Sequence, residues 1–294
     1  PGPQASASLL SGRGSYRRGD DVVMRRPAVA GQFYEGDERA LRKQIDACYM
    51  GPLGPGRLPE LRAGPRKVLG GVAPHAGYMF SGQVAAHLYA RLAEDGFAKT
   101  FVIMGPNHTG KGSGMAITLD DFETPMGVAR VDQVLARAIR KDLIDVDPEA
   151  HHLEHSIEVQ IPFLQHISKD FKIVPLCMGF QDYEAARAVG EIVRDAVKGR
   201  DAVVIASTDM SHYVSPGTAE TKDGKALRRI EAMDPKGLYD VVSDENISMC
   251  GYGPVMATMT ACGGGKARVL KYATSGDVRP MADVVGYASV VFEK

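Results

Sequence analysis

The chain has 294 residues, 44% of them hydrophobic, and a formal net charge of −1 from 35 basic and 36 acidic side chains. That balance leaves no electrostatic argument for nucleic acid or an anionic membrane as a partner, and the apolar fraction suffices for a large core. Four scattered cysteines (Cys48, Cys177, Cys250 and Cys262) with no CxxC pair argue against a disulfide framework or a zinc knuckle.

No apolar run approaches the ~20 residues of a membrane span, and the first residues lack a secretory pattern, so a cytoplasmic location is expected. Residues 1–23 are rich in Gly, Ser and Arg with little periodicity. They read as a disordered extension or an expression remnant, with Met24 a candidate natural start and 24–294 a single folded domain. A helix is expected over about 37–49, followed by a Gly- and Pro-rich loop through "MGPLGPGRLPELRAGPRK".

From Val68 onward, short apolar runs alternate with helical segments. The strand candidates are "VLGGVAP", "TFVIMGP", "GMAITL", "FKIVPLCMG", "DAVVIAST", "ARVLKYAT" and "DVVGYASVVFE". Helices are expected over about 81–95, 131–143, 155–168, 182–198, 219–232, 234–243 and 253–262. The alternation predicts an α/β fold, a single-domain sandwich with a mixed central sheet flanked by helices.

Three strand readings end in polar loops: "VAPHAG", "IMGPNHTG" and "ASTDMSHY". Ligands of open α/β sheets bind beyond the carboxyl ends of strands. His75, His108, Asp209 and His212 would then face one crevice. A lone histidine is often a hydrogen-bonded structural residue, but two strand-end histidines of matching form make a metal pair more credible. The Asn107–His108 loop lacks the full phosphate-loop spacing. In "HHLEHSIEVQIP", His155 and Glu158 would share a helical neighbourhood beside the pocket, or form a capping and surface-charge cluster. Asp209 and His212 suit a general acid/base with an orienting carboxylate, or an N-cap with a solvated histidine. Cys250, in "SMCGYGP", lies just before a helix begun by Pro254, where the macrodipole would favour a thiolate. Cys250 would complete a His-His-Cys set with open positions.

Together these stretches, with "TPMGVARVD", "EHSIEVQIPFLQ", "KIVPLCMGFQD" and "MDPKGLY", resemble the Memo family, which includes the AmmeMemoRadiSam system protein B proteins. The resemblance implies a fold similar to the LigB-type class III extradiol dioxygenases, whose non-haem iron(II) is held by two histidines and a carboxylate. By that resemblance His75, His108 and Cys250 match the metal ligands, the cysteine standing where the dioxygenases have a carboxylate. His212 matches the acid/base histidine, Asp209 the adjacent aspartate, and His155, Glu158 and Asn107 fall near the pocket. Iron(II) is the first expected metal, copper the second and zinc the third. The implied activity is redox or dioxygenase-like, on an unknown small-molecule or peptide ligand. The alternatives are a non-catalytic binding module and a zinc hydrolase. Association with AMMECR-type and radical SAM proteins is likewise implied by the resemblance alone.

Overall fold

A computed structural model describes residues 24–294; the expectation for 1–23 lies outside the described residues. In chain order the elements are β1 (Met24–Arg25), α1 (Glu38–Met50), β2 (Val68–Ala73), α2 (Tyr78–Glu94), β3 (Thr100–Pro106), β4 (Met115–Ile117), β5 (Asp121–Thr124) and β6 (Gly127–Val131). Then come α3 (Gln133–Ile139), β7 (Asp145–Val146), α4 (Glu149–His152), a 3-10 turn (Glu158–Gln160), α5 (Ile161–Ile167), β8 (Lys172–Met178), α6 (Tyr183–Val197) and β9 (Ala202–Ser207). The chain closes with β10 (His212–Val214), α7 (Pro216–Glu231), α8 (Pro235–Asp244), α9 (Tyr252–Ala261), β11 (Lys266–Thr274), α10 (Ser275–Val278) and β12 (Val284–Glu293).

The strands form one mixed sheet of 12, in the order β1-β5-β6-β8-β3-β9-β2-β12-β10, with β11 on β12 and β4 between β7 and β8. The central strands β6, β8, β3, β9 and β2 run parallel; β12 returns antiparallel to β2. Adjacent residues of a strand face opposite sides, and β2 uses this to separate two helical layers. A Cβ at Gly71 would strike Leu88 of α2, whereas one at Gly70 would strike Cys262 at the end of α9. Helices α1, α2 and α5 therefore cover one face, with Tyr89 stacked on Phe163 at 4.8 Å between ring centres. Helices α6, α8 and α9 cover the other.

Local chemistry sets the helix starts. Asp37, Asp132, Asp182 and Asp234 each accept an N–H of the helix they precede, and Ser215 does so ahead of Pro216. Pro175 breaks the rule that central strands avoid proline. Its free edge falls between two short partners, since β6 pairs with Lys172 and Ile173 and β4 with Leu176 to Met178. The missing N–H thus costs no ladder bond.

The single helix expected over 155–168 is not formed. Residues 149–152 make a separate short helix, 158–160 a 3-10 turn, and the α-helix begins only at Ile161. A single turn does open at His155, whose carbonyl accepts from Val159 N–H, but Pro162 has no N–H to bond back to Glu158, so the chain tightens into the 3-10 turn before the regular helix begins. No helix among the described residues is long and apolar enough to cross a membrane.

Candidate metal centre

His75, His108 and Asp209 each stand two residues beyond the end of their strand, β2, β3 and β9 respectively. Those strands are hydrogen-bonded neighbours, with Ala73 opposite Ser207, so their ends are level and the three residues meet at one rim.

The His75 ring is buried, and its Nδ1 lies 2.9 Å from Ser207 Oγ. The direction of that bond follows from its neighbours. Ser207 donates its only hydroxyl hydrogen to Ser156 O at 2.6 Å and already accepts from Gln160 Nε2 at 2.7 Å. Gln160 is oriented in turn by Tyr89, whose hydroxyl donates to Gln160 Oε1 at 2.6 Å. Nδ1 of His75 must therefore carry its hydrogen, which leaves Nε2 with a bare lone pair. That nitrogen is 3.1 Å from Cys250 Sγ. Burial, reinforced by the neighbouring histidines, holds the His75 pKa well below the usual imidazole range, so the ring stays neutral.

His108 repeats the arrangement with a charged partner. Its Nδ1 is 3.0 Å from Glu154 Oε1, and its backbone N–H donates to Glu154 Oε2 at 2.6 Å. Burial opposes the charge of Glu154, but the His108 ring and the N–H of Ser156 outweigh it and bring the carboxyl pKa down to about 2. A carboxylate there fixes the hydrogen on Nδ1 and leaves Nε2 free as a ligand. Asn107 stands outside the ligand group and turns the loop: its Oδ1 accepts from the N–H groups of Thr109 and Gly110 at 3.0 Å each.

Cys250 is carried by the loop before α9. Gln181 clamps this loop, donating from Nε2 to Cys250 O and accepting from Gly253 N–H, both at 2.9 Å. Gly251 lies so close to β9 that a Cβ there would sit 2.6 Å from Ser207 O. The expected thiolate is not favoured by this setting. Sγ precedes the helix cap Gly251 and receives one N–H, from Asp209 at 3.3 Å, while burial and the Asp209 carboxylate push the thiol pKa well up. Desolvation outweighs the helix dipole, so a bound cation would have to supply the stabilisation of the thiolate.

The ligand atoms of His75, His108 and Cys250 all lie within 4.8 Å of one another. Asp209 and His212 sit on the same cavity wall, but each is held by other partners than the expected mutual bond. Asp209 Oδ1 accepts from the N–H groups of His75, at 2.8 Å, and Ala76, at 3.3 Å; burial still raises its pKa to about 6. His212 is oriented by Ser248, whose carbonyl accepts from Nδ1 at 2.8 Å, so His212 Nε2 is the basic nitrogen. His155 stacks on His108 at 4.7 Å and meets the edge of Phe33 at 4.8 Å. Glu158 lies behind the cavity, fully buried. It binds Arg25, accepts from the N–H groups of Ala28 and Val29, and takes the Tyr34 hydroxyl at 2.5 Å. It thereby anchors the segment that presents Phe33.

A family model described as Memo-like protein matches residues 25–291. The chain belongs to the Memo family. Memo-family relatives include a "MEMO1 family protein" of Methanopyrus kandleri, 50% identical over 92% of this chain and 99% of its own length. Another, from Methanothermobacter thermautotrophicus, is 49% identical over 90% of this chain and 99% of its own. Among solved structures, an uncharacterized protein from Escherichia coli K12 shares the fold, with a TM-score of 0.52 at 12% identity over 75% of this chain and 99% of that one.

In this Memo-family chain the residues that sequence reasoning missed are the ones that orient the ligands: Ser207, Gln160, Glu154 and Gln181. All four lie within the stretches that carry the resemblance. The available signal was placement, since Ser207 ends a strand and Glu154 directly precedes His155. Their pairings with the ligand residues, across 46 to 132 positions, are not readable from spacing.

Proposed function

We propose that the protein is a Memo-like metalloprotein whose centre is formed by His75, His108 and Cys250, with iron(II) as the first metal and copper as the second. The convergence of two bare imidazole nitrogens and one thiol within 4.8 Å carries this reading. The donor set fits such a group, because each histidine has its other ring nitrogen tied to an orienting acceptor, as metal-ligating histidines do. Two imidazoles and a sulfur suit iron, copper or zinc, and the softness of sulfur brings copper(I) within range. When bound, iron(II) would supply one-electron redox chemistry and open positions for a chelating substrate.

The rest of the chemistry belongs to the chain. His212 Nε2, with its partner nitrogen held by Ser248, is placed on the cavity wall to take a proton from a ligand and return it. Asp209 ties the His75 and Cys250 loops together, accepting from one and donating its N–H to the other. Its carboxyl, with a pKa raised to about 6, is a second proton holder near neutral pH. We assign the protein to redox catalysis on a small molecule, related in fold to non-haem dioxygenases.

Metal content after anaerobic purification tests the assignment. Wild type should retain close to one equivalent of iron or copper, and Cys250→Ala and His108→Ala should each lose it. Retention of wild-type metal by both variants would refute the site.

A further inference from the structure

The cavity lined by His75 and His108 has a volume of about 440 Å³, the size of a small organic ligand's site. Four histidines and Asp209 line it together with the apolar and aromatic side chains of Phe33, Phe80, Tyr213, Met281, Val285 and Tyr287. Tyr213 is held with φ at +54° and is 79% exposed, beside the ring of His212. A bulky residue seldom adopts that backbone region, and here it sets an aromatic ring at the mouth.

The charges are one-sided. Among the described residues that line the cavity there is no lysine and no arginine. Its two carboxylates differ in state. Asp209 is buried and occupied by backbone N–H groups, whereas Asp283 is exposed and has no ion-pair partner among the described residues. Arg279, the cation nearest to Asp283 along the chain, is not on the wall. The loop bearing Asp283 is fixed by Ser275, whose Oγ accepts from Val285 N–H and donates to Met281 Sδ, each at 3.0 Å. A carboxylate or phosphate on the ligand, away from the metal, would meet the like charge of Asp283 with no lysine or arginine on the wall to offset it. An ammonium group would gain Asp283 and the face of an aromatic ring.

We propose that this cavity takes an aromatic amine, its ring against Phe33, Phe80 and Tyr213 and its ammonium group at Asp283. The proposal rests on the reading of the cavity as the ligand site of the metal centre.

Calorimetric titration of the full chain with tyramine, 4-hydroxyphenylacetate and phosphotyrosine tests it, in the zinc-loaded protein and in metal-free Cys250→Ala. Tyramine should bind at least about tenfold tighter than either anion in both forms. Asp283→Asn should bring that ratio to within about threefold, and Tyr213→Ala should weaken tyramine binding in the presence of an intact Asp283. An anion that binds as tightly as tyramine, a ratio unmoved by Asp283→Asn, or no binding by any of the three would overturn the proposal. Failure of the metal reading would look different: Cys250→Ala would keep its zinc, with the preference for tyramine intact.

Discussion

Glu154 holds His108 by two bonds at once, one to the ring and one to the backbone, and its carboxylate is almost fully buried. Such a partner sets both the tautomer and the angle of the ligand. Glu154→Gln keeps the size but loses the charge, so metal affinity should fall about 10- to 100-fold with the fold intact. A competition titration against a metal-binding dye, alongside circular dichroism, reads both quantities; unchanged affinity would make Glu154 structural only. At this scale the sequence was half legible. His75, His108 and Cys250 stood out by residue type and loop position. The hydrogen that frees His75 Nε2 depends on Ser156 O, Gln160 and Tyr89, which only folding brings to Ser207. For Cys250, proximity to a helix start is visible in sequence, whereas the burial that raises its thiol pKa is not.

The element that presents Phe33 to the cavity is short and has little packing of its own. β1 holds two residues, and the segment after it is fastened by Glu158 through Arg25, Ala28, Val29 and Tyr34. Arg25 also donates to His151 O at 3.0 Å and Glu154 O at 2.5 Å, so one buried guanidinium joins β1 to the loop that orients His108. Removing one partner leaves the other charge buried and unpaired. Glu158→Ala should therefore cost about 3–5 kcal/mol in chemical denaturation. A loss below about 1 kcal/mol would show that the pair is not what fastens the segment. Most of the parallel strands were legible as apolar runs, and the helices expected from about 182 and 234 begin at Tyr183 and Pro235, whereas the one expected from about 219 begins earlier, at Pro216. The β5–β6 hairpin was not anticipated, although "TPMG" bears a turn signature. The helix expected over 155–168 is regular only from Ile161, because apolar spacing runs on through a first turn that Pro162 cannot join to an α-helix.

Across the whole molecule, stability should carry a histidine signature. His151 is buried, with Nε2 donating to Ala116 O at 3.0 Å, and burial lowers its pKa to about 4. The unfolded chain takes up this proton near pH 6.5 and the folded chain only near pH 4. The stabilising contribution is thus complete above pH 6.5 and is lost as pH falls toward 4, about 3 kcal/mol in all. His151→Asn should flatten the fall in urea-unfolding free energy across that window by this amount relative to wild type; equal slopes would contradict it. The sheet as a whole serves the site by levelling three parallel strand ends, so that residues about 30 and 100 apart in sequence meet at one rim.

The central claim is that His75, His108 and Cys250 jointly hold one metal ion. An anaerobic crystal structure with anomalous scattering at the iron, copper and zinc edges tests it most directly. The account predicts a single anomalous peak among His75 Nε2, His108 Nε2 and Cys250 Sγ, strongest at the iron edge. A peak elsewhere in the molecule, with Cys250 Sγ left against His75 Nε2, would contradict it.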